Sequence, residues 1–577
     1  MTSQLLSTPA RHPFSLSALA DRAWNTVVQS ALNVGWSDSL SHLAESAVVR
    51  VLSKITCGQL RIETPTQTYQ FPPFPASPST DDDGQPRAFI RVLKQNFWLR
   101  LALMSDLGFA EAYMFGEIEC DNLIDVFSVF LINKPALSGL SSGPLSSILA
   151  SISQRLASSR FVNTIANSRS NISAHYDISN EMFMGFLSKD MTYSCAIFPD
   201  LDTDLQPSRS SRSLSASSSL DGSSQPLVPS LSPSPTSPSS PPGAEPLHQK
   251  FEFPSAGIVP PEGRELSGSS TPTLVSESEM LLKRFKAKFG GYIRSRGEQG
   301  LEEDDPDVDD DIDDELYEAQ MRKLSHIVRK CAIRPGMRIL EIGSGWGALA
   351  IYITSTIPGT TVDTITLSSQ QMEMVKDRVA RVGLNDDYAR ELGLDVIDSE
   401  RTDRERRENN RVKVHLMDYR DMPPEWEGAF DRVVSVEMVE AVGKEFLETY
   451  WGTLDWALKK DTGVGVVQSI TIPEARYENY IRDVDFIRKW IFPGGHLPTL
   501  THLIASLNSG SSGRLVVDSV SNIGPHYART LREWRRRFEG AFDDIIRPTL
   551  KKEYPEVMNG ENGDEEVEAF KRKWIYY

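Results

Sequence analysis

Arg338-Ile339-Leu340-Glu341-Ile342-Gly343-Ser344-Gly345-Trp346-Gly347 is the stretch around which the rest of the chain is organised. Apolar residues run up to Glu341, a Gly-x-Gly-x-Gly turn follows, and an amphipathic run from Ala348 to Ser355 begins at once. The stretch therefore reads as buried strand, turn and helix start. Without side chains at Gly343, Gly345 and Gly347, the backbone can turn sharply and bring its N–H groups and the helix N-terminus against a ligand. That describes a nucleotide-type pocket, although many Rossmann-like folds and plain strand-to-helix turns share the bare glycine pattern.

Two details narrow the ligand. A dinucleotide fingerprint would read G-x-G-x-x-G with an acid roughly 20 positions on; here the spacing is G-x-G-x-G, and the next strand, Thr361 to Leu367, ends in Thr366-Leu367-Ser368 followed by Gln370 and Gln371. The E-I-G-S-G-W-G form resembles the first motif of S-adenosylmethionine-dependent methyltransferases. That resemblance implies Glu341 at the strand end near the cofactor, with Gly343, Ser344, Gly345 and Gly347 making room for its amino-acid and ribose parts. Lacking an acid at the second strand end, the chain is expected to use Thr366, Leu367 and Gln371 there.

At 577 residues and 64.4 kDa the chain is long enough for two or three domains with full cores. A net charge of −18 and a pI near 5.1 argue against a nucleic-acid partner, because phosphate neutralisation needs a basic surface. The four cysteines, Cys57, Cys120, Cys195 and Cys331, are scattered without a C-x-x-C pair, so neither a metal site nor a disulfide framework is expected, and a reducing, cytoplasmic setting fits. No leader with a basic start and an apolar core is visible, nor a run of about 18 apolar residues, so peripheral contact with a membrane is expected and not a crossing.

Residues 1–45 read as a poorly ordered lead-in, and 46–136 as a small α+β domain with strands over Gly58 to Glu63, Thr68 to Phe71 and Ala88 to Leu93 and helices over Phe97 to Met104 and Leu123 to Ile132. Residues 137–170 read as a linker with helical pieces. Residues 171–199 hold His175, Tyr176, Asp177, Tyr193, Ser194 and Cys195 among apolar neighbours, a density of reactive groups greater than packing needs. Residues 200–315 are rich in Ser and Pro and then acidic, and cannot bury enough apolar surface to fold, so a disordered insertion is expected. Within it, 281–289 sets Leu282, Phe285 and Phe289 at helical spacing among cations, as an interfacial helix at an anionic bilayer requires and as a solvated charged helix also could.

Residues 316–577 alternate strands and helices: strands at Val412 to Met417, Phe430 to Val436, Gly463 to Ile470 and Arg514 to Ile523, and a helix at Gly443 to Leu458. The expected fold is α/β, a Rossmann-like class I methyltransferase with a mostly parallel sheet and its ligand at the carboxyl ends of the strands. Polar groups gather at those ends: Asp418-Tyr419-Arg420, Glu437 with Glu440, and Gln468.

Together Tyr193-Ser194-Cys195, E-I-G-S-G-W-G, Thr366-Leu367-Ser368, Asp418 to Asp421, Phe430 to Met438, Ile491 to Gly495 and His526 to Leu531 stand in the order of the cyclopropane-fatty-acyl-phospholipid synthases, which the chain resembles from about Val48 to Phe538 outside the insertion. The resemblance implies a small N-terminal lipid-binding domain, S-adenosylmethionine contacts that include Tyr193, Ser194, Asp418, Tyr419 and Arg420, an unsaturated phospholipid or other lipid acyl chain as partner, and room for a homodimer. It implies attack of a cis alkene on the sulfonium methyl and ring closure by loss of a proton from the added methyl. The carbocation between these steps calls for a dry, aromatic-lined pocket. The proton would go to a bound bicarbonate, whose binding residues fall on Cys195, Glu440, Gln468, Ile470 and Tyr527.

Two departures stand out. The family's F-E-H-V-G reads Val439-Glu440-Ala441-Val442-Gly443, and its following histidine is Gln468, an amide that donates a hydrogen bond but carries no proton. Methyl-branched or methylene products therefore stay open beside the cyclopropane, as does an inactive lipid-binding protein. After the helix Thr530 to Phe538, the chain is expected to lack the sheet's closing antiparallel strand, as a truncated or short form would.

Overall fold

Alternation at Gln59–Glu63, where Leu60 and Ile62 are buried between partly exposed neighbours, makes this segment a half-buried strand, β1. The computed structural model describes residues 37–73, 85–137, 179–205, 314–394, 409–482 and 484–577. Contacts divide the chain into one unit of residues 1–201 with 279–577 and another of residues 202–278, of which only 202–205 are described. The expected insertion (its ends apart), its basic stretch 281–289, and His175, Tyr176 and Asp177 lie outside the described residues.

In the larger unit, helix α1, Ser37–Leu52, begins inside the expected lead-in and covers a sheet of β1, β2 (Thr68–Phe71), β3 (Arg87–Val92) and β4 (Ile118–Cys120), in the order β2-β1-β3-β4. Helix α2 runs over Asn96–Met114, well beyond the expected end at Met104, because its two halves join across a break at Ser105 (φ 52°). Gly108 permits that join: a Cβ there would lie 2.2 Å from the Arg100 carbonyl oxygen. Helix α3, Leu123–Ile132, closes this N-terminal part and leaves Ile124, Leu131 and Ile132 exposed.

The second sheet is parallel throughout: β5 (Arg338–Ile342), β6 (Thr361–Thr366), β7 (Val412–Leu416), β8 (Arg432–Val436) and β9 (Val464–Gln468), in the order β7-β6-β5-β8-β9. Parallel strands covered on both faces need apolar residues on both, which is why this half of the chain reads as apolar runs. On one face Ile339, Val362, Val412 and Val434 meet helices α4 (Glu315–Lys330), α5 (Ala348–Thr356) and α6 (Ser369–Arg381). On the other, Leu340, Ile342 and Val433 meet Tyr450, Trp451 and Leu454 of helix α7, Leu447–Ala457, backed by helix α8, Leu500–Gly510. The fold is the expected class I methyltransferase α/β sandwich.

One expected strand is absent. Arg514 to Ile523 forms no ladder: β9 bonds to β8 alone among the described strands, and the segment is held instead by side-chain contacts such as Lys330 Nζ to Ser519 Oγ at 3.3 Å. Its alternation buries little: Val516 is 85% exposed and Val520 58%. Beyond it, helix α9 (Pro525–Ala541) and helix α10 (Gly563–Tyr576) return the chain to the pocket end of the sheet. There Trp574 packs on Phe183, Phe186 and Phe538, while Tyr576 packs on Phe109, Tyr113 and Phe127 of the N-terminal part. No helix among the described residues is long and apolar enough to cross a membrane.

Candidate active site

The glycine turn follows β5 directly, and its geometry shows why side chains are excluded. Gly343, Gly345 and Gly347 take φ of 96°, 47° and 84°, a left-handed region that favours glycine. A Cβ on Gly343 would meet Met438 at 3.2 Å and one on Gly347 would press on Val375, whereas one on Gly345 would meet nothing but the open pocket. The N–H groups of Gly343 and Ser344 both donate to the Ile365 carbonyl (3.0 Å each), fixing the turn against the end of β6.

The pocket is lined by Tyr193, Ser194, Glu341, Gly343, Ser344, Gly345, Thr366, Leu367, Gln371 and Tyr419, ten of the residues expected to hold the cofactor. Gly347, Asp418 and Arg420 stand outside this wall. Gly347 packs on α6, and Asp418 takes both Nε and Nη2 of Arg420 at 2.7 Å, so that pair braces the loop after β7. Thr366 donates its hydroxyl to Gln371 Oε1 (2.8 Å), which orients the amide expected to stand in for the missing acid.

These residues fit an adenosylmethionine. Glu341 is 3% exposed, its Oε2 has no hydrogen-bond partner, and burial pushes its carboxyl up to about 8. A sealed acceptor facing a cavity is poised for the hydroxyl or ammonium donors of such a ligand. Glu341→Ala should weaken S-adenosylhomocysteine binding by about 10- to 100-fold in calorimetry, the worth of roughly 1.5–3 kcal/mol for a hydrogen bond to a charged group.

The opposite wall, Thr192 to Ala196, is irregular backbone held by side chains from two helices. Gln320 Nε2 of α4 donates to the Ser194 carbonyl (2.9 Å), and Lys323 Nζ, one turn on, donates to Ser194 Oγ (2.7 Å). The Ala196 N–H donates to Thr530 Oγ1 of α9 at 3.1 Å. Neither Gln320 nor Lys323 belonged to the expected site. The available signal was a lysine on the apolar stripe of a helix, since Leu316, Gln320, Lys323 and Ile327 share the buried face of α4.

At the end of β8 the chain makes a strained turn. Glu437 adopts φ 48°, costing roughly 1–3 kcal/mol for a residue other than glycine. The strain brings its carboxylate to three donors: Oε1 accepts from the Cys195 N–H (2.9 Å) and from Gln468 Nε2 (2.8 Å), and Oε2 from the Tyr527 hydroxyl (3.2 Å). Glu437 also lines the cofactor pocket, so its half-buried side chain joins that pocket to the Cys195, Gln468 and Tyr527 cluster. Glu440 lies one turn on, with Oε1 taking the Ile470 N–H at 2.5 Å. Rings enclose this region: Tyr193 lies 4.8 Å from Trp534 and 6.4 Å from Phe492, and Tyr527 is 6.2 Å from Trp534.

The five residues implied for bicarbonate do come together, but they do not fit it. The Cys195 N–H, one N–H of the Gln468 amide and the Tyr527 hydroxyl go to Glu437, and the Ile470 N–H goes to Glu440. A dissolved anion would have to displace Glu437 from these donors and would face its carboxylate.

Burial, and then the neighbouring Glu437, push the Glu440 carboxyl up to about 8. The folded protein thus keeps a proton that the unfolded chain releases near pH 4.5, so the stability this group contributes is complete below that pH and is lost as pH rises through about 8. Denaturant titrations of the ligand-free protein should show stability falling across this window, and Glu440→Gln should flatten part of the fall.

A family profile described as mycolic acid cyclopropane synthetase matches residues 164–220, 309–404 and 395–559. A tuberculostearic acid methyltransferase of Mycobacterium tuberculosis is 27% identical over 432 residues, covering 75% of this chain and 68% of that protein. A cyclopropane-fatty-acyl-phospholipid synthase of Escherichia coli is 32% identical over 265 residues, 46% of this chain and 54% of its own length. A sphingolipid C9-methyltransferase of Komagataella phaffii is 29% identical over 244 residues, 41% of this chain and 43% of that protein. The chain thus spans about half the length of the last two. Among solved structures, a mycolic acid cyclopropane synthase complexed with SAH and CTAB aligns over 70% of this chain and 91% of its own, a distant likeness at 18% identity and a TM-score of 0.39.

Proposed function

The chain belongs to the mycolic acid cyclopropane synthetase family, S-adenosylmethionine-dependent lipid methyltransferases, and from that premise we propose that it adds a methylene group to the cis double bond of an unsaturated phospholipid acyl chain, closing a cyclopropane ring. The observation that carries this reading is Glu437, which lines the cofactor pocket and anchors a cluster of Cys195, Gln468 and Tyr527 beside aromatic rings. S-adenosylmethionine, when bound, supplies an electrophilic methyl. The chain's own residues do the rest: the rings of Tyr193, Phe492 and Trp534 keep water from an acyl carbocation and offer it π faces, and an acidic side chain at the end of β8 takes its proton. In the same reading the N-terminal part seats the lipid at a membrane surface, supported by the apolar Ile124, Leu131 and Ile132 exposed on α3.

The test is expression of this chain in a host with unsaturated phospholipids and no cyclopropane synthase, followed by mass spectrometry and proton NMR of the acyl chains. One added CH2 with upfield ring protons is the expected result; unchanged lipids from folded protein would overturn it. A second reading has its own support in Gln468, which cannot carry a proton, and in the tuberculostearic acid methyltransferase among the relatives. Here a hydride shift precedes proton loss and leaves a methylene branch, seen as the same added mass with vinylidene protons and no ring signals.

A further inference from the structure

We propose that Glu437 is the catalytic base of this enzyme, a carboxylate built into the chain where the family resemblance implies a bicarbonate drawn from solution. The inference deepens the function proposed above and rests on it for the reaction, though not for the site. Three observations carry it. The Cys195 N–H, Gln468 amide and Tyr527 hydroxyl, three of the groups implied to hold the free anion, all donate to Glu437. Its backbone sits at φ 48°, a conformation that orients the side chain into this cradle and that a residue there only for packing would have no reason to keep. And Glu437 lines the cofactor pocket, whereas Glu440, the acid implied by the resemblance, turns one oxygen to the Ile470 N–H and leaves the other sealed without a partner.

The step balances on the chain's own groups. After the alkene has taken the methyl, Glu437 Oε2 removes one proton from that carbon. The C–H electron pair becomes the third ring bond and quenches the carbocation; the carboxyl then returns its proton to water when the site opens. Burial holds the Glu437 carboxyl above its ordinary range, while the Cys195 N–H, the Gln468 amide and the Lys323 charge pull it back, so it can alternate between the two forms. No second anion is needed, and the Glu437 carboxylate itself disfavours one in the same cradle.

Two measurements test this, one of them independent of turnover. With 13C-bicarbonate followed by NMR, the native protein should bind none, and Glu437→Gly, which empties the cradle and suits the left-handed backbone, should bind it. Uptake of one equivalent by the native protein would overturn the proposal, whatever lipid the enzyme uses. In buffer scrubbed of carbon dioxide, the native protein should keep its rate. Glu437→Gln should lose about 100-fold or more without rescue by bicarbonate, and Glu437→Gly should recover activity when bicarbonate is added. A native rate that collapses on scrubbing and returns with bicarbonate, or a Glu437→Gln protein that turns over normally, would sink the idea. Lipids unchanged by every variant would count against the proposed function alone, and the binding measurement would still decide the role of Glu437.

Discussion

Lys323→Met should lower turnover at neutral pH by about 10- to 100-fold and move the pH profile to the alkaline side, while leaving the ligand-free protein no less stable. The two halves of this expectation come from one environment. Lys323 is 1% exposed, and burial, against the partial compensation of Glu437 and Asp190, drags its ammonium down to about 8. Keeping it charged at neutral pH therefore costs the fold roughly 3 kcal/mol, more than the ~1 kcal/mol its hydrogen bond to Ser194 returns. Methionine removes the desolvation cost along with the smaller gain from that bond. The sign can be checked with pH: the native protein should gain stability between about pH 8 and 10.5, where the folded state sheds this proton before the unfolded chain does, and the methionine variant should not. Function runs the other way. The Lys323 charge is one of the influences lowering the Glu437 carboxyl, so without it more of the base is protonated at neutral pH and activity returns only at higher pH. A variant that lost activity equally at all pH values would show that Lys323 only props up Ser194.

Arg100→Met should cost about 3–5 kcal/mol, for the opposite reason. Arg100 is 6% exposed, and its guanidinium bridges Glu111 (2.9 Å) and Glu117 (2.8 Å), themselves 4% and 6% exposed. Glu111 in turn accepts from Lys489 Nζ and Trp490 Nε1, tying α2 to the segment that sets Phe492 against Tyr193. Here the charges are matched: burial alone would raise the Glu111 carboxyl, but Lys489 and Arg100 outweigh it and hold it below the ordinary range. Removing the arginine strands the Glu117 carboxylate where water cannot reach it and leaves Glu111 to Lys489 and Trp490. Because Glu111 stabilises the native fold above the usual carboxylate range and loses that contribution as pH falls, the gap between native and variant in urea unfolding should narrow toward about pH 4. Adding Glu117→Gln should restore part of the loss. A deficit of ~1 kcal/mol or less at neutral pH would mean the triad behaves like a surface pair.

Much of the site was written in the sequence because its features are local. The glycine turn, the Tyr193-Ser194-Cys195 run and the strand ends at Thr366 and Tyr419 each occupy a few consecutive residues; the parallel sheet carries the turn and strand ends to one pocket, and α4 holds the Tyr193-Ser194 wall against it through Ser194. What stayed illegible depends on distance and conformation. Glu437 and Glu440 stand three apart at the same strand end, and only the left-handed backbone of Glu437 decides which of them reaches Cys195, Gln468 and Tyr527. Lys323 looked like any helix lysine until α4 laid its polar member against Ser194. Arg514 to Ile523 alternates as a strand should, yet a strand needs a neighbour to bond with, and alternation cannot supply one.

The cysteine of the cluster has a consequence for anyone who would inhibit or handle the enzyme. Cys195 enters the site through its backbone N–H; its sulfur points away, toward the Ala196 and Ile523 carbonyls, and burial first and Glu437 second push the thiol up to about 12. At neutral pH almost none of it is thiolate, the form that alkylating reagents and peroxides attack. A conspicuous active-site cysteine is thus a poor target for covalent warheads and a slow one for oxidation, and a compound designed against this pocket has to compete for the carboxylates.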